Sequence, residues 1–308
     1  MATLAHASLA AADPEASSAV SALAPAPVVE VPVVVAPAPV PRSRRAWPQP
    51  ALGPSTSGGP EVLFTFDDGP NGASTVSVLD TLRAHGVKAV FFMIGRNVRG
   101  GSPARNAALI ERIVAEGHVV GNHTDNHRDL CLRANAARIG DEIDQAARQI
   151  SAAARMNPVY FRAPYGVRCP KLEEALDARG VRHLHWDVDP QEWRTHDAAR
   201  MQAVITADIA RLRDDERAVI LAHDVHATTV TALPVILEWI RAENQRRAAT
   251  GRQRIRILSP SDVAVEQLAP PVRAWFTAIE LGAGLPELAQ RLVAPLTSPR
   301  AQAGVPSL

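Results

Sequence analysis

Short apolar runs alternate with amphipathic segments along the chain from Glu61 to about residue 268. The apolar runs predict seven strands: Glu61–Phe66, Val87–Ile94, His118–Gly121, Val159–Arg162, Val181–Asp187, Ala218–Ala222 and Ile255–Leu258. The segments between them predict six helices: Ala73–His85, Ser102–Glu116, Ala134–Arg155, Pro170–Ala178, Ala198–Arg213 and Thr229–Ala249. Strands that alternate with helices predict an α/β domain whose parallel sheet is either open and doubly wound or closed as a barrel.

A different pattern occupies residues 1–60, which are mostly Ala, Pro, Val and Ser. Prolines interrupt its apolar runs, so we predict a disordered leader or linker of extended character. The start of the chain lacks Lys and Arg, but Leu9–Ala12 resembles the end of a secretion signal. Either part of an export signal lies upstream, or the segment is a cytoplasmic leader. Residues 269–308 form a tail with one predicted helix, Leu285–Leu292, and no motif of known role.

The composition excludes several classes of protein. The 308 residues include 33 Lys and Arg against 32 Asp and Glu, a balance that argues against a dedicated nucleic-acid-binding protein. No apolar run approaches the roughly 18 residues that a membrane span needs, so we expect no transmembrane segment. Two cysteines exclude a disulfide scaffold and an all-cysteine zinc site, though not a single bridge.

Polar residues follow the predicted strands at the points where they end. Asp67 and Asp68 come directly after the first strand, and two adjacent carboxylates repel each other unless a cation or an arginine compensates them. The alternative is an ordinary turn in which Gly69 and Pro70 stop the strand.

A second cluster is His123-Thr124-Asp125-Asn126-His127. Histidines four positions apart lie on one face if a helix begins here, and they can then bind one metal ion. The pattern is not the metalloprotease motif, because Thr124 stands where that motif has its general-base glutamate. Taken alone, such a pair could instead be two solvent-exposed histidines that bind no metal.

Three further strand ends carry similar residues, each of which could instead be a solvated loop or turn. They are Arg162-Ala163-Pro164-Tyr165, Asp187 to Trp193 with three acids, and His223-Asp224-Val225-His226. Because all strands of a parallel sheet end at the same face, where such folds build their active sites, we expect these clusters to converge. Two histidines and one carboxylate fit zinc or another divalent transition metal.

Taken in order, these motifs resemble those of the polysaccharide deacetylases, the NodB-homology group also called carbohydrate esterase family 4. The resemblance rests on five segments: Thr65–Pro70, His123–His127, Arg162–Tyr165, Asp189–Trp193 and Leu221–His223. It covers about Glu61 to Leu268, which we therefore predict to be the catalytic domain. It implies a distorted (β/α) barrel of about seven β-α units, with the active site at the carboxyl-terminal face of the strands.

The resemblance also implies a separate role for each of the charged residues. Asp68, His123 and His127 would bind one divalent metal, zinc in the first place, with cobalt and nickel as alternatives. Asp67 would be the general base for a metal-bound water, and Arg162 would keep that base in place and ionised.

On the leaving-group side the resemblance makes His223 the general acid, with its pKa raised by either Asp189 or Glu192. The backbone N–H of Tyr165 would help to hold the oxyanion. Trp193 and Leu221 would form the walls of the acetyl pocket. For Trp193, ordinary core packing is an alternative. Asp224 and His226 receive no role.

Two residues depart from the family pattern. Glu192 stands where the family often has Asp, which leaves open whether it or Asp189 tunes His223. Ala163 stands where the family often has Pro. Neither change affects the implied metal ligands or Asp67, so the implied reaction class is unaltered.

The implied function is removal of N-acetyl groups from a polysaccharide or oligosaccharide that contains N-acetylglucosamine. Peptidoglycan is the first expected substrate and chitin-type polymers are the second, with acetylated xylan as a further alternative. One alternative is a catalytically inactive carbohydrate-binding protein of the same fold. A second is a non-haem iron oxygenase, which would leave Asp67 and Arg162 unexplained.

We expect a location in the cell envelope, periplasmic or secreted. Cys131 and Cys169 each lie four residues past a motif residue, which suggests a disulfide, with two free thiols as the alternative.

Overall fold

The computed structural model of this protein describes residues 50–266, where helices surround one parallel sheet. Its seven strands are β1 (Glu61–Asp67), β2 (Val90–Met93), β3 (Val119–Asn122), β4 (Tyr160–Phe161), β5 (Arg182–His183), β6 (Arg217–His223) and β7 (Arg256–Ile257). The helices are α1 (Gly72–Ala84), α2 (Gly95–Arg99), α3 (Pro103–Ala115), α4 (Ile139–Ala154), α5 (Pro170–Asp177), α6 (Glu192–Thr195), α7 (Ala198–Ala210), α8 (Ala227–Ala249) and α9 (Pro260–Glu266).

The strand order is β5-β4-β3-β2-β1-β6, and every neighbouring pair is parallel. β7 pairs with the first two residues of β1, Glu61 and Val62. β1 and β6 are paired along their whole length, from Glu61 opposite Arg217 to Asp67 opposite His223. The sheet curls into a half-barrel, so the predicted distorted (β/α) barrel is confirmed.

Both faces of the sheet are buried, which explains why its strands appear as continuous apolar runs in the sequence. On β1, Phe64 and Phe66 belong to the cluster that packs against the surrounding helices. Leu63 precedes Phe64 and points to the opposite side of the strand, where it belongs to the cluster inside the half-barrel with Phe92 and Val219. The alternation therefore places Thr65 and Asp67 on the inner side, above that apolar floor.

The predicted strands and long helices are all present in the described residues, and the strands are mostly shorter than predicted. The segment predicted as one helix over Ala134–Arg155 is divided into a 3-10 helix (Arg133–Arg138) and α4. Three short helices, α2, α6 and α9, were not predicted because four to seven residues are too few to show a helical period.

The structure describes the last part of the predicted leader, residues 50–60. Ala51 and Leu52 are buried in the cluster inside the half-barrel, and the Ala51 N–H donates to Asp187 Oδ1 at 3.2 Å. The Gly- and Ser-rich composition of residues 53–59 is typical of a linker, but the chain on both sides of it is held by the domain. Residues 1–49 and the predicted tail 269–308 lie outside the described residues.

Cys131 and Cys169 form a disulfide with a Cα–Cα distance of 5.7 Å. The bond confirms the predicted pair and excludes the alternative of two free thiols. It joins the loop after His127 to the start of α5, next to a small apolar cluster around Phe161. Within residues 50–266, no helix has both the length and the apolar character needed to cross a bilayer.

Candidate active site

The pair of aspartates at the end of β1 is divided by the backbone. Asp67 is the last residue of the strand, whereas Asp68 has a φ of 75° in the left-handed region. A turn through Gly69 and a cis Gly69–Pro70 peptide then leads to α1. Because the backbone reverses its curvature at Asp68, the two carboxylates leave the strand in different directions and can contact different partners.

Asp68 forms a compact group with the two histidines. Its Oδ1 lies 3.4 Å from His123 Nε2 and 3.3 Å from His127 Nε2. That oxygen is buried and accepts no hydrogen bond, and one ligand atom from each of the three residues falls within 4.8 Å of the others. An unprotonated carboxylate oxygen and two imidazole nitrogens converging on one point form a donor set that fits a divalent transition metal.

The other ring nitrogen of each histidine has its own partner. His123 Nδ1 lies 2.7 Å from the carbonyl oxygen of Arg162, to which it donates when Nε2 is unprotonated. His127 Nδ1 lies 3.2 Å from the hydroxyl of Tyr165. Such contacts fix the ring orientation and leave Nε2 as the free donor atom. Thr124 and His127 have positive φ, so a loop rather than the start of a helix brings the two histidines together.

Buried charges hold this loop from behind. Asp125, which is 1% exposed, accepts two hydrogen bonds from the guanidinium of Arg99. Glu142 of α4 accepts from the Asn126 N–H at 2.7 Å and from Arg128 Nε at 3.0 Å. Sequence reasoning missed these supporting residues, because the pairing of motif residues with α2 and α4 depends on tertiary contacts.

Asp67 is paired with Arg162, as the resemblance implied. Arg162 is fully buried, and its Nη1 donates to Asp67 Oδ1 at 2.8 Å and to Thr65 Oγ1 at 2.7 Å. Its Nε donates to the carbonyl oxygen of Leu184 and its Nη2 to that of His185. The charge of the guanidinium is thus neutralised by one carboxylate and oriented by neutral acceptors, which makes the pair rigid.

Aromatic rings complete the floor beneath Arg162. The guanidinium carbon lies 4.2 Å from the ring centre of Phe92 and 5.5 Å from that of Trp186. Phe92 needs Gly121 on the neighbouring strand, since a Cβ at that position would stand 2.5 Å from the ring. The glycine therefore lets an aromatic platform pass beneath the site.

His223 contacts Glu192, and this contact settles which acid is its partner. Glu192 Oε1 lies 2.7 Å from His223 Nδ1 and accepts from the His223 N–H at 2.8 Å. Asp189 instead accepts from the Gln191 N–H at 2.8 Å, within its own turn. Burial alone would lower the pKa of His223, but Glu192, with smaller contributions from Asp67 and Asp68, raises it to about 9.

The metal-ligand group is also tuned by its own charges. Burial would raise the pKa of Asp68, but the nearby histidines, His123 above all, hold it well below its usual range. Burial and the neighbouring His123 lower the pKa of His127. Both shifts favour the deprotonated forms that a metal ion requires.

The remaining predicted residues surround this group. Tyr165 has a φ of 62°, and its ring lies beside that of His127, with 4.9 Å between ring centres. Trp193 is 46% exposed on α6, so ordinary core packing, the alternative left open for it, is wrong. Leu221 is buried on β6, two residues before His223 and on the same inner side.

Two residues without a predicted role lie at the same end of the sheet. Asp224 is fully buried, and burial raises its pKa to about 7, with a smaller opposite effect from the Thr75 hydroxyl. The ring of His226 lies between those of His223 and His196, with 5.7 Å between ring centres on each side.

Comparisons with known proteins agree with this geometry. A family model described as polysaccharide deacetylase matches residues 55–184. A chitooligosaccharide deacetylase from Bradyrhizobium sp. (strain ANU 289) is 40% identical over 169 residues, which are 54% of this chain and 72% of that protein. A peptidoglycan-N-acetylglucosamine deacetylase from Bacillus cereus is 34% identical over 188 residues, which are 58% of this chain and 65% of that protein.

Solved structures are similar as well. A family 4 carbohydrate esterase from Streptomyces lividans, in complex with acetate, superimposes with a TM-score of 0.52 and 32% sequence identity. The match covers 59% of this chain and 88% of that chain.

Proposed function

This chain belongs to the polysaccharide deacetylase family, and on that premise we propose that it removes N-acetyl groups from an N-acetylglucosamine-containing polysaccharide or oligosaccharide. The observation that carries the proposal is the convergence of three different groups at the carboxyl ends of β1, β3 and β6. These are a metal-ligand set, a carboxylate paired with a buried arginine, and a histidine paired with a buried glutamate.

Asp68, His123 and His127 would hold the metal ion, for which we propose zinc, with cobalt and nickel as alternatives. When bound, a divalent ion of this kind lowers the pKa of water and polarises a carbonyl oxygen. The protein's own contribution is to aim the three donor atoms, through the Arg162 carbonyl behind His123 and the Tyr165 hydroxyl behind His127.

Asp67 is the proposed general base. Its Oδ1 is occupied by Arg162, while its Oδ2 lies 3.7 Å from His123 Nε2 and so faces the metal-ligand group. Oδ2 can therefore take the proton from the water that attacks the acetyl carbonyl. The hydrogen bond from Arg162 to Oδ1 fixes the direction of the free oxygen Oδ2.

His223 is the proposed general acid. Its Nδ1 is held by Glu192, which leaves Nε2 to give a proton to the amide nitrogen. That proton is delivered as the carbon–nitrogen bond breaks, so the products are acetate and a free amine. The raised pKa of His223 keeps the ring protonated before the bond breaks.

The other residues bind and orient the substrate. We propose that the backbone N–H of Tyr165, in its left-handed conformation, stabilises the negative charge that develops on the carbonyl oxygen. Exposed Trp193 and buried Leu221 would flank the methyl group of the acetyl moiety. Asp189, on the loop before α6, would add negative charge near His223 without contacting it.

Peptidoglycan and chitin-type oligosaccharides are the proposed substrates, and the names of the relatives support them. A location in the cell envelope, periplasmic or secreted, suits such polymers. The Cys131–Cys169 disulfide supports an oxidising compartment. We propose a catalytic domain that runs from Ala51 to about residue 268, preceded by the Pro-rich leader and followed by the tail.

Acetate release tests this function. Chitooligosaccharides, peptidoglycan fragments and acetylated xylan are incubated with the protein, with and without a chelator, and acetate and free amine are measured. We expect release from an N-acetylglucosamine substrate that stops with chelator and returns when zinc is added. Release that persists with chelator contradicts the proposal, and so does the absence of release with zinc, cobalt and nickel.

A further inference from the structure

Asp224 is a buried acid that the proposed reaction does not use. It follows His223 directly at the end of β6, and the register that pairs Asp67 with His223 brings Asp224 next to Asp68 and Gly69. Its side chain is fully buried, and its Oδ1 has no hydrogen-bond partner. A buried carboxyl group costs free energy, so its position beside the metal-ligand turn calls for a physical explanation.

The carboxyl group of Asp224 fills the space beneath that turn. A Cβ on Gly69 would stand 2.7 Å from Asp224 Oδ2 and 2.9 Å from Oδ1, so both oxygens lie directly against the glycine. On its other side, Oδ2 accepts a hydrogen bond from the Thr75 hydroxyl. That hydroxyl in turn accepts from the Asn71 N–H at 2.8 Å. Asp224 therefore connects the turn before α1 to the first turn of that helix.

The turn is also held on its other side. Asn97 Nδ2 donates to the carbonyl oxygen of Asp68 at 2.7 Å, and the Ile94 N–H donates to that of Gly69 at 3.0 Å. With Asp224 beneath Gly69, the backbone that carries Asp68 is confined between β6 and the start of α2. The left-handed φ of Asp68 needs such confinement, because few non-glycine residues adopt it unaided.

We propose that Asp224 is a positioning residue that holds the Asp68–Gly69 turn and thereby sets the affinity of the site for its metal ion. The inference rests on the proposed function, because it assumes that Asp68 is a metal ligand. Asp224 is not one of the three proposed metal ligands. It acts through the direction in which the turn presents the Asp68 carboxylate.

Zinc binding to the metal-free protein, measured by competition with a chromophoric chelator, tests the proposal without substrate. Asp224→Val removes both oxygens at similar volume, and we expect zinc affinity to fall about 10- to 100-fold, as for other residues that orient metal ligands. Asp224→Asn keeps the acceptor for Thr75, and we expect it to hold affinity within about threefold of the original protein. If Asp224→Val does not fold, Thr75→Val, which removes the donor to Asp224, is expected to lower affinity about 3- to 10-fold.

Gly69→Ala tests the contact from the other side. In the original protein the new methyl group collides with both Asp224 oxygens, and we expect weaker zinc binding. In an Asp224→Ala background those oxygens are gone, so the same substitution should cost less affinity. Effects that simply add in the double variant would contradict the proposed contact.

Asn244→Ala is the matched control for a purely structural loss. Its side chain bonds both the N–H and the carbonyl of Ile255, next to β7 and at the opposite end of β1. We expect a lower Tm and unchanged zinc affinity.

If the Asp224→Val protein binds zinc as tightly as the original protein, the positioning role of Asp224 is overturned and the proposed function is not affected. Failure of the original protein to bind zinc overturns this role and the proposed function together.

Discussion

β1 carries a buried acid at each end, and the two are paired with arginine in different ways. At the amino-terminal end, Glu61 accepts from the guanidinium groups of Arg217 and Arg256 and from the Thr56 N–H. Neither of its oxygens is left without a partner. At the carboxyl-terminal end, Asp67 shares one oxygen with Arg162 and keeps the other directed toward the histidines.

The same difference separates the two ends of the domain. Within residues 50–266, four buried carboxylate oxygens have no hydrogen-bond partner, and one of them, Glu116 Oε2, lies before β3 at the structural end. The other three belong to residues at the carboxyl ends of the strands: Asp68 Oδ1, Glu192 Oε2 and Asp224 Oδ1. Most of the non-glycine residues with positive φ within 50–266 lie in the loops at that end: Asp68, Thr124, His127, Tyr165, Gln191 and His196. Unsatisfied carboxylate oxygens and strained backbone are thus concentrated at the reactive end, whereas the buried carboxylate of Glu61 at the structural end is fully paired.

The largest expected effect comes from Asp67→Asn. Removing the negative charge of the proposed base should lower kcat for acetate release by about 10³-fold, because the amide cannot take a proton from water. Zinc content measured on the same preparation should stay at that of the original protein. Loss of the metal instead would mean that the roles of Asp67 and Asp68 are reversed.

Glu61→Gln is the matched variant at the structural end of the same strand. Loss of this charge leaves Arg217 less compensated in a buried setting, and we expect the free energy of unfolding to fall by about 3 kcal/mol. Urea denaturation measures that change. The fraction that remains folded should keep its kcat, and a fall in kcat per folded molecule would break the contrast between the two ends.

Glu192→Gln sharpens the assignment of the acid. The amide can still accept a hydrogen bond from His223 but no longer raises its pKa, which stands at about 9 with Glu192 present. The acid works only when protonated, so in this variant the decline of activity with rising pH should begin at a lower pH. At pH 8, kcat/KM should therefore fall about tenfold. The alkaline limb of the pH–rate profile reports the shift. Asp189→Asn, which lacks the contact, should move that limb less.

The smallest effect concerns His118, just before β3 at the structural end. Burial, and to a lesser degree Lys88, lower the pKa of His118 to about 4. Between about pH 6.5 and 4, His118 therefore binds a proton in the unfolded chain but not in the folded one. The free energy of unfolding falls as the pH falls through that window.

His118→Asn keeps an acceptor for the Ala89 N–H and removes the titration. Between pH 7 and 5.5 the original protein should lose about 1 kcal/mol more unfolding free energy than the variant. Denaturation curves at the two pH values measure the difference. Equal losses would show that His118 is not held neutral by burial.

Much of the reactive end could be predicted from the sequence, because parallel strands bring their carboxyl ends together whatever the details of the loops. Asp67, His123 and Arg162 follow strands whose apolar runs are long or distinctive enough to recognise. The choice between Asp189 and Glu192 could not be made, since it depends on the orientation of α6, a helix of only four residues.

Contacts between distant segments were equally invisible to sequence reasoning. The Tyr165 hydroxyl beside His127 joins residues that are 38 positions apart. Leu52 lies in a segment of linker-like composition, yet it fills the interior of the half-barrel because the curled sheet leaves an apolar space there. Local pattern therefore predicted the elements and their ends, whereas packing determined the pairings.

Acetate release during stepwise addition of zinc to the metal-free protein is the most direct test of the central claim, which is that the reactive end is a metal-dependent deacetylase site. Activity on an N-acetylglucosamine oligosaccharide should rise in proportion to added zinc and level off at one equivalent per chain. Full activity before any zinc is added would contradict the account. So would a protein that binds one equivalent of zinc and the oligosaccharide but releases no acetate.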